Sequence, residues 1–168
     1  MGTLYITGAG VSSDSGIPTF RGTDGFWTIG SENYTPQEMA TRYMYVNNSE
    51  QFLLWYFKRF ARYRDAEPND VHRWLADKNL ITQNIDGLDG KAGNTSYIPI
   101  HGRLDKVTVF EEEGQDSLVI DAPWDEISDL GFTHENDPKS EASLINTLLE
   151  YFKIKKDKQQ KYYPILGY

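Results

Sequence analysis

The feature that most constrains this chain is a change of texture across residues 4–22. An apolar run, Leu4-Tyr5-Ile6-Thr7, breaks into Gly8-Ala9-Gly10 and restarts in Val11-Ser12-Ser13-Asp14-Ser15, small residues suited to a first helical turn. Strand, tight turn and helix start, in that order, predict a parallel α/β sheet whose first turn offers backbone amides to a phosphate. Gly8 and Gly10 remove the side chains that would keep a pyrophosphate away. Arg21, just beyond, adds a forked cation able to hold a phosphate or carboxylate through two bonds. The spacing supplies the first two glycines of the dinucleotide fingerprint but puts Ser13 where the third would stand. On this stretch alone, a bare strand-to-helix connection explains the glycines as well.

The rest of the composition narrows the setting. With 168 residues, 39% hydrophobic and 14% aromatic, the chain is expected to fold around one core as a single domain over residues 1–168. The formal net charge of -8 disfavours nonspecific binding of nucleic acid, which needs a positive field, and no nucleic-acid partner is expected. It leaves room for a small anion, because a few amides and one arginine are positive locally. The absence of cysteine removes thiol catalysis, disulfides and a cysteine-bound zinc. Met1 leads into the first strand, and no apolar run is long enough to span a bilayer, so a cytoplasmic protein without membrane contact is expected.

Taken in order, residues 3–8 read as a buried strand and residues 12–18 as the turn into a short helix stopped by Gly16 and Pro18. Residues 19–35 read as a loop carrying the aromatic cover Phe26 and Trp27. Helices are expected over 36–46, over 49–64 with Phe52, Leu53, Tyr56, Phe57, Phe60 and Tyr63 on one apolar side, and from Pro68-Asn69 to about Asp77 with Val71, Trp74 and Leu75 inward. Leu80-Ile81-Thr82 and Tyr97-Ile98-Pro99-Ile100 read as further strands. Val107-Thr108-Val109-Phe110 and Ser117-Leu118-Val119-Ile120 read as a hairpin. An amphipathic helix is expected over 140–156, ending in a solvated lysine-rich stretch.

Three predicted strand ends then converge: residues 8–12, residues 83–86, and His101. Histidine titrates near neutral pH and can take a proton from a sugar hydroxyl. Gln83 and Asn84 can bond hydroxyls without adding charge, and Asp86, acceptor-only when ionised, suits a carboxamide. His72, inside a helix, reads as packed or capping, and His134 lies in a polar loop without an evident partner.

These motifs resemble the sirtuin family, in the family's order: Gly8-Ala9-Gly10-Val11-Ser12 with Ser15-Gly16-Ile17-Pro18-Thr19-Phe20-Arg21-Gly22, then Thr82-Gln83-Asn84-Ile85-Asp86-Gly87-Leu88, then His101-Gly102. Pro68-Asn69 followed by His72 resembles the segment before the second motif. The likeness covers roughly residues 3–105, and three separate motifs in order make it specific. It implies a Rossmann-like open parallel sheet with flanking helices, and NAD-dependent removal of acyl groups from lysine in a protein or peptide. In that chemistry the acyl oxygen attacks the anomeric carbon of the nicotinamide ribose as nicotinamide leaves. By similarity His101 is the general base, with Asn84 also catalytic. Gln83 and Asn84 bind the ribose, and Ala9, Ile17, Ile85 and Asp86 form the nicotinamide pocket. Phe20 shields the reactive carbon, and Arg21 holds phosphates with the turn containing Gly8, Gly10 and Ser12. Thr19 and the Tyr56-Phe57-Lys58-Arg59 segment resemble the members that remove succinyl and malonyl groups. There Tyr56 and Arg59 would grip the acyl carboxylate; an apolar stripe with a basic helix end explains the pair equally well.

The resemblance fades over residues 106–168. No four-cysteine zinc lobe follows His101, so no metal site is expected. There is no clear counterpart of the Phe-Gly-Glu stretch lining the peptide groove, nor of the turns that hold the second phosphate and adenosine. The second half of the fold is therefore expected to be truncated. Three readings follow: a compact deacylase; an enzyme that hydrolyses NAD or acts on a small acylated molecule; and a noncatalytic module binding NAD or ADP-ribose.

Overall fold

The computed structural model describes residues 2–19, 27–108, 119–132, 140–152 and 163–164; of residues 27, 28, 163 and 164 it describes the backbone alone. The chain opens with β1 (Leu4–Thr7), a 3-10 helix (Ala9–Ser15), β2 (Trp27–Ile29) and β3 (Glu32–Tyr34). The helices α1 (Pro36–Met39), α2 (Arg42–Asn47), α3 (Ser49–Tyr63) and α4 (Asp70–Leu75) follow. Then come β4 (Asn79–Thr82), α5 (Leu88–Lys91), β5 (Ile98–Pro99), β6 (Lys106–Thr108) and β7 (Val119–Asp121). The last elements are α6 (Trp124–Asp129), α7 (Glu141–Tyr151) and β8 (Tyr163–Pro164). These group into two compact units, one made of described residues 2–19 and 63–104, the other of the remainder.

The first unit is a three-stranded parallel sheet in the order β1-β4-β5. Tyr5 pairs with Leu80 and Thr7 with Thr82. Because side chains alternate, Tyr5, Thr7, Leu80 and Thr82 share one face, and α4 packs there, with the Tyr5 and Trp74 rings edge-on at 5.1 Å. The opposite face carries Leu4, Ile6 and Ile98, and it corrects the expectation of a buried first strand: Leu4 is 54% and Ile6 67% exposed. Parallel strands are normally covered on both faces; here β1 is an edge strand, and α4 covers its other side.

A second correction concerns α4. Val71 and Trp74, expected inward, are exposed, Trp74 by 54%, while His72 and Leu75 are buried. The N-cap decides this rotation. Asn69 accepts from the N–H groups of Val71 and His72, and His72 Nδ1 accepts from the Asn69 N–H, completing a capping box. That reach swings residue 72, and with it residue 75 one turn on, toward the interior.

The second unit holds the larger apolar core. On α3, residues 52–57 are all buried, so its middle is enclosed on every side rather than along one stripe; Phe60 and Tyr63 are only half-buried. Phe57 and Phe60 meet Trp124 of α6, which also meets Phe152 after α7. The 36–46 segment is two short helices, each capped by threonine, Thr35 and Thr41. Part of the expected loop is the β2–β3 hairpin, closed by Gly30-Ser31 with Gly30 at φ 62°, the left-handed region such tight turns require. β6 pairs antiparallel with β7, in line with the expected hairpin, and also with β8. Residues 109–118, the lysine-rich 153–161 stretch and His134 lie outside the described residues.

Candidate functional site

The C-terminal ends of the three parallel strands stand side by side. The Gln83 N–H donates to Thr7 O at 3.1 Å and the Ile100 N–H to Thr82 O at 3.0 Å, so the parallel ladder runs one residue past the paired strands. This brings Gly8, Asn84 and His101 to one rim of the first unit. Gly102, at φ 74°, turns the chain beyond His101, and the Leu104 N–H donates to Ile85 O at 2.8 Å, folding the segment back on the second motif. The His101 imidazole is exposed there.

Beneath the rim lies a closed polar network whose donors and acceptors can be assigned. The Asn69 N–H points at His72 Nδ1 (3.3 Å), so the neutral ring carries its proton on Nε2, which faces Ser12 Oγ at 3.5 Å. Asn84 Nδ2 also donates to Ser12 Oγ (3.1 Å) and to Gly8 O (3.2 Å). With both lone pairs engaged, the Ser12 hydroxyl gives its own proton to Asp86 Oδ2 at 2.7 Å. Asp86 Oδ1 accepts from the Leu88 N–H at 3.0 Å, a turn made possible by Gly87 at φ 76°. The network is not a nucleophilic triad: the serine proton goes to a carboxylate, and the histidine nitrogen a carboxylate would orient is taken by backbone.

Asn69 ties this network to the glycine turn through Nδ2, which donates to Val11 O (2.7 Å) and Ser15 Oγ (3.1 Å). The 3-10 helix ends on Gly16 at φ 82°, whose N–H bonds Ser13 O, while the Ile17 N–H bonds Ser12 O. Gly8 and Gly10 need explanation of another kind. Neither has a positive φ, and a Cβ built on either meets nothing within 4 Å. Neither backbone strain nor protein packing demands glycine there, and the space beside the turn is open.

Of the sequence-derived candidates, Gly8, Ala9, Gly10, Ser12, Ile17, Gln83, Asn84, Ile85, Asp86 and His101 all belong to this unit. Phe20 and Arg21 lie outside the described residues. Tyr56 and Arg59 belong to the other unit, on α3. Tyr56 is 1% exposed, its ring 4.7 Å from those of Phe52 and Trp55, and the Arg59 guanidinium lies 4.8 Å over the Trp55 ring. Sequence reasoning missed Thr7, Thr82, Asn69 and Asp89 as parts of the site. A threonine ending each of two apolar strands was the available signal for the first pair. Thr7 donates to Thr82 at 2.9 Å. Asp89, buried on α5, has its carboxyl pushed above the ordinary range, chiefly by burial and also by the Asp86 charge; His72 and a hydrogen bond from Thr82 oppose this.

An open parallel sheet gathering a glycine turn and polar side chains at its carboxyl edge defines the nucleotide-binding α/β class. The Sir2 family model matches residues 8–119, and the chain belongs to that family. It is 43% identical over 112 residues to NAD-dependent protein deacylase 1 of Caldanaerobacter subterraneus, covering 62% of this chain and 45% of the relative. It is 42% identical over 108 residues to NAD-dependent protein deacylase 1 of Archaeoglobus fulgidus, covering 60% and 42%. Among solved structures, a Sir2 homologue in complex with NAD superposes with a TM-score of 0.65 at 28% identity, covering 98% of this chain and 56% of that one. A Sir2 homologue mutant with 2′-O-acetyl ADP-ribose gives 0.64 at 28% identity, covering 98% and 57%. The fold is thus the Rossmann-like fold of Sir2 proteins. The chain spans under half the length of these curated relatives. No described helix is long and apolar enough to cross a membrane.

Proposed function

We propose that this chain carries the nicotinamide-ribose side of an NAD-dependent protein-lysine deacylase site. The observation that supports this best is the placement of the Ser12–Asp86–Asn84 network directly under a glycine turn with open space beside it. NAD, when bound, supplies an activated glycosidic bond whose breakage releases nicotinamide. The protein's own groups fit the parts of that molecule. Asp86 uses one site on each oxygen internally and keeps lone pairs for a carboxamide NH₂. Asn84 has spent both amide protons on Gly8 and Ser12, so only its carbonyl oxygen is left, and it serves as an acceptor for a ribose hydroxyl. Gln83 and the exposed His101 face outward at the same rim, where His101 takes the hydroxyl proton. Ala9, Ile17 and Ile85 give the ring apolar walls. Gly8 and Gly10 let phosphates approach the turn; the roles of Arg21 toward the phosphates and Phe20 toward the reacting carbon rest on the sequence resemblance alone.

Within this reading the preferred acyl groups are acidic, on the strength of Thr19 and the Tyr56/Arg59 pair. Arg59 is half-buried while Tyr56 is enclosed, so the grip on a carboxylate falls mainly to the arginine. The test is incubation with NAD and acetyl-, succinyl- or malonyl-lysine peptides while nicotinamide release is followed. Release that depends on acylated peptide supports the deacylase, and release favoured by succinyl or malonyl supports the acidic preference. Release without peptide gives instead an NAD hydrolase or an enzyme of small acylated molecules. Stabilisation by NAD without release gives a binding module.

A further inference from the structure

Thr82 is the last residue of β4 and is 1% exposed. A buried hydroxyl costs stability unless its hydrogen bonds are made, so the groups it bonds reveal its use. Two donors meet it. Thr7, its partner in the β1–β4 pairing, donates from its hydroxyl to Thr82 Oγ1 at 2.9 Å. The Asn84 N–H, two residues on, donates to the same oxygen at 3.1 Å. A hydroxyl oxygen has two lone pairs, and these two donors engage both.

The second bond is the informative one. Backbone bonds of a central parallel strand alternate between its two neighbours. The Gln83 N–H turns toward β1, to Thr7 O, while Thr82 O accepts from the Ile100 N–H just past β5. The next N–H due toward the β5 side is that of Asn84. It goes instead to the Thr82 hydroxyl, a side-chain turn that closes the strand. From that bend the Asn84 amide reaches Gly8 O at 3.2 Å and Ser12 Oγ at 3.1 Å. Packing between β1 and β4 asks only for a small β-branched residue at position 82, which valine would satisfy. Asn84 needs an acceptor there.

We propose that Thr82 is a positioning residue: its hydroxyl, braced by Thr7, takes the Asn84 N–H out of the ladder and so aims the Asn84 side chain at Gly8 and Ser12. It touches no substrate in this scheme. The inference deepens the NAD reading above and rests on it for its catalytic consequence, though not for its structural one.

Three variants separate the two bonds. Thr82→Val keeps the shape and removes the acceptor from both donors. Thr7→Val removes the bond between the threonines alone. Thr82→Ser keeps the acceptor without the methyl group. Hydrogen exchange of the Asn84 N–H reads the geometry without any ligand. It is expected to quicken about tenfold in Thr82→Val and to stay within about threefold of the wild type in Thr7→Val and Thr82→Ser. In nicotinamide release, Thr82→Val is expected to lose roughly tenfold or more in kcat with the KM for NAD little changed, Thr7→Val to lose no more than about threefold, and Thr82→Ser to recover most of the rate. Equal losses in Thr7→Val and Thr82→Val would mean that the threonine pair only braces the sheet, and they overturn the proposal. Unchanged Asn84 exchange in Thr82→Val overturns it too. If Thr82→Val fails to fold, the other two variants decide, because fast Asn84 exchange in either contradicts an acceptor that both retain. If the wild type releases no nicotinamide, the NAD reading fails, and the exchange rates still decide the role of Thr82.

Discussion

The Ser12 hydroxyl and Asp86, 74 residues apart in sequence, are joined by a 2.7 Å hydrogen bond in which the serine donates to Oδ2. The bond locks the first motif of the chain to the second. It also leaves Ser12 Oγ free to accept from Asn84 and His72, so one hydroxyl ties the glycine turn to α4 and to the second motif.

Replacing that hydroxyl exposes the dependence. Ser12→Ala strands the Asn84 amide and His72 Nε2–H as buried donors and removes a donor from Asp86. A loss of about 1–3 kcal/mol in unfolding free energy is expected. Ser13→Ala, which removes only an exposed bond to Gly10 O, is expected to stay within about 0.5 kcal/mol. Denaturant titration of both variants checks the contrast, and equal effects would contradict the network.

Asp86→Asn keeps the shape and changes the polarity. Its NH₂ must face either the Ser12 hydroxyl or the Leu88 N–H, both donors in the native arrangement. Affinity for free nicotinamide is expected to fall at least about tenfold, one lost charge-assisted hydrogen bond. Calorimetric titration measures it, and wild-type affinity would remove Asp86 from the pocket.

Asn69 is both a helix cap and a tie to the glycine turn. Asn69→Ala is expected to lose about 1–2 kcal/mol, since the cap and the Val11 and Ser15 bonds go together. Asn69→Asp keeps the capping acceptor but cannot donate to Val11 O, and should fall between. Thermal unfolding of the pair checks the order; an aspartate variant as unstable as the alanine one would mean that the tie outweighs the cap.

Asp89 makes stability depend on pH in a stated direction. Its folded carboxyl titrates above its unfolded value of 3.8, first because of burial. Below that value both states are protonated and its effect is absent. As pH rises through the folded value, the unfolded chain has already released the proton and the folded state is penalised. The melting temperature of Asp89→Asn relative to wild type is therefore expected to be near zero difference at pH 3 and increasingly positive toward neutral. A flat or opposite trend in scanning calorimetry sinks this assignment. The groups facing it are His72, Asp86 and Thr82.

His101→Ala is expected to abolish nicotinamide release while NAD still raises the melting temperature, because an exposed rim histidine contributes little to folding. An active variant would remove the proposed base.

Much of the site was legible because the family's signature residues are contiguous: Gly8 to Ser12, Gln83 to Asp86 and His101 could be read off the chain and expected at strand ends. The strands themselves were legible for the same reason, each a short apolar run broken by glycine or polar residues. The orientation of α4 was not, since Val71 and Trp74 have the spacing of an inward face; the capping bond from Asn69 to His72 overrides it. The buried state of β1 was misread because alternation says which residues share a face, not whether anything covers it.

Local order alone therefore outlined the parallel strands and the candidate site residues, since turn chemistry and apolar period act over a few positions. Only the tertiary structure decided that Ser12 gives its proton to Asp86, that the buried His72 ring faces Ser12, and that Thr7 donates to Thr82. Such polarities depend on which lone pairs are already occupied, and at Ser12 and Thr82 the occupants include partners 60 to 75 residues away.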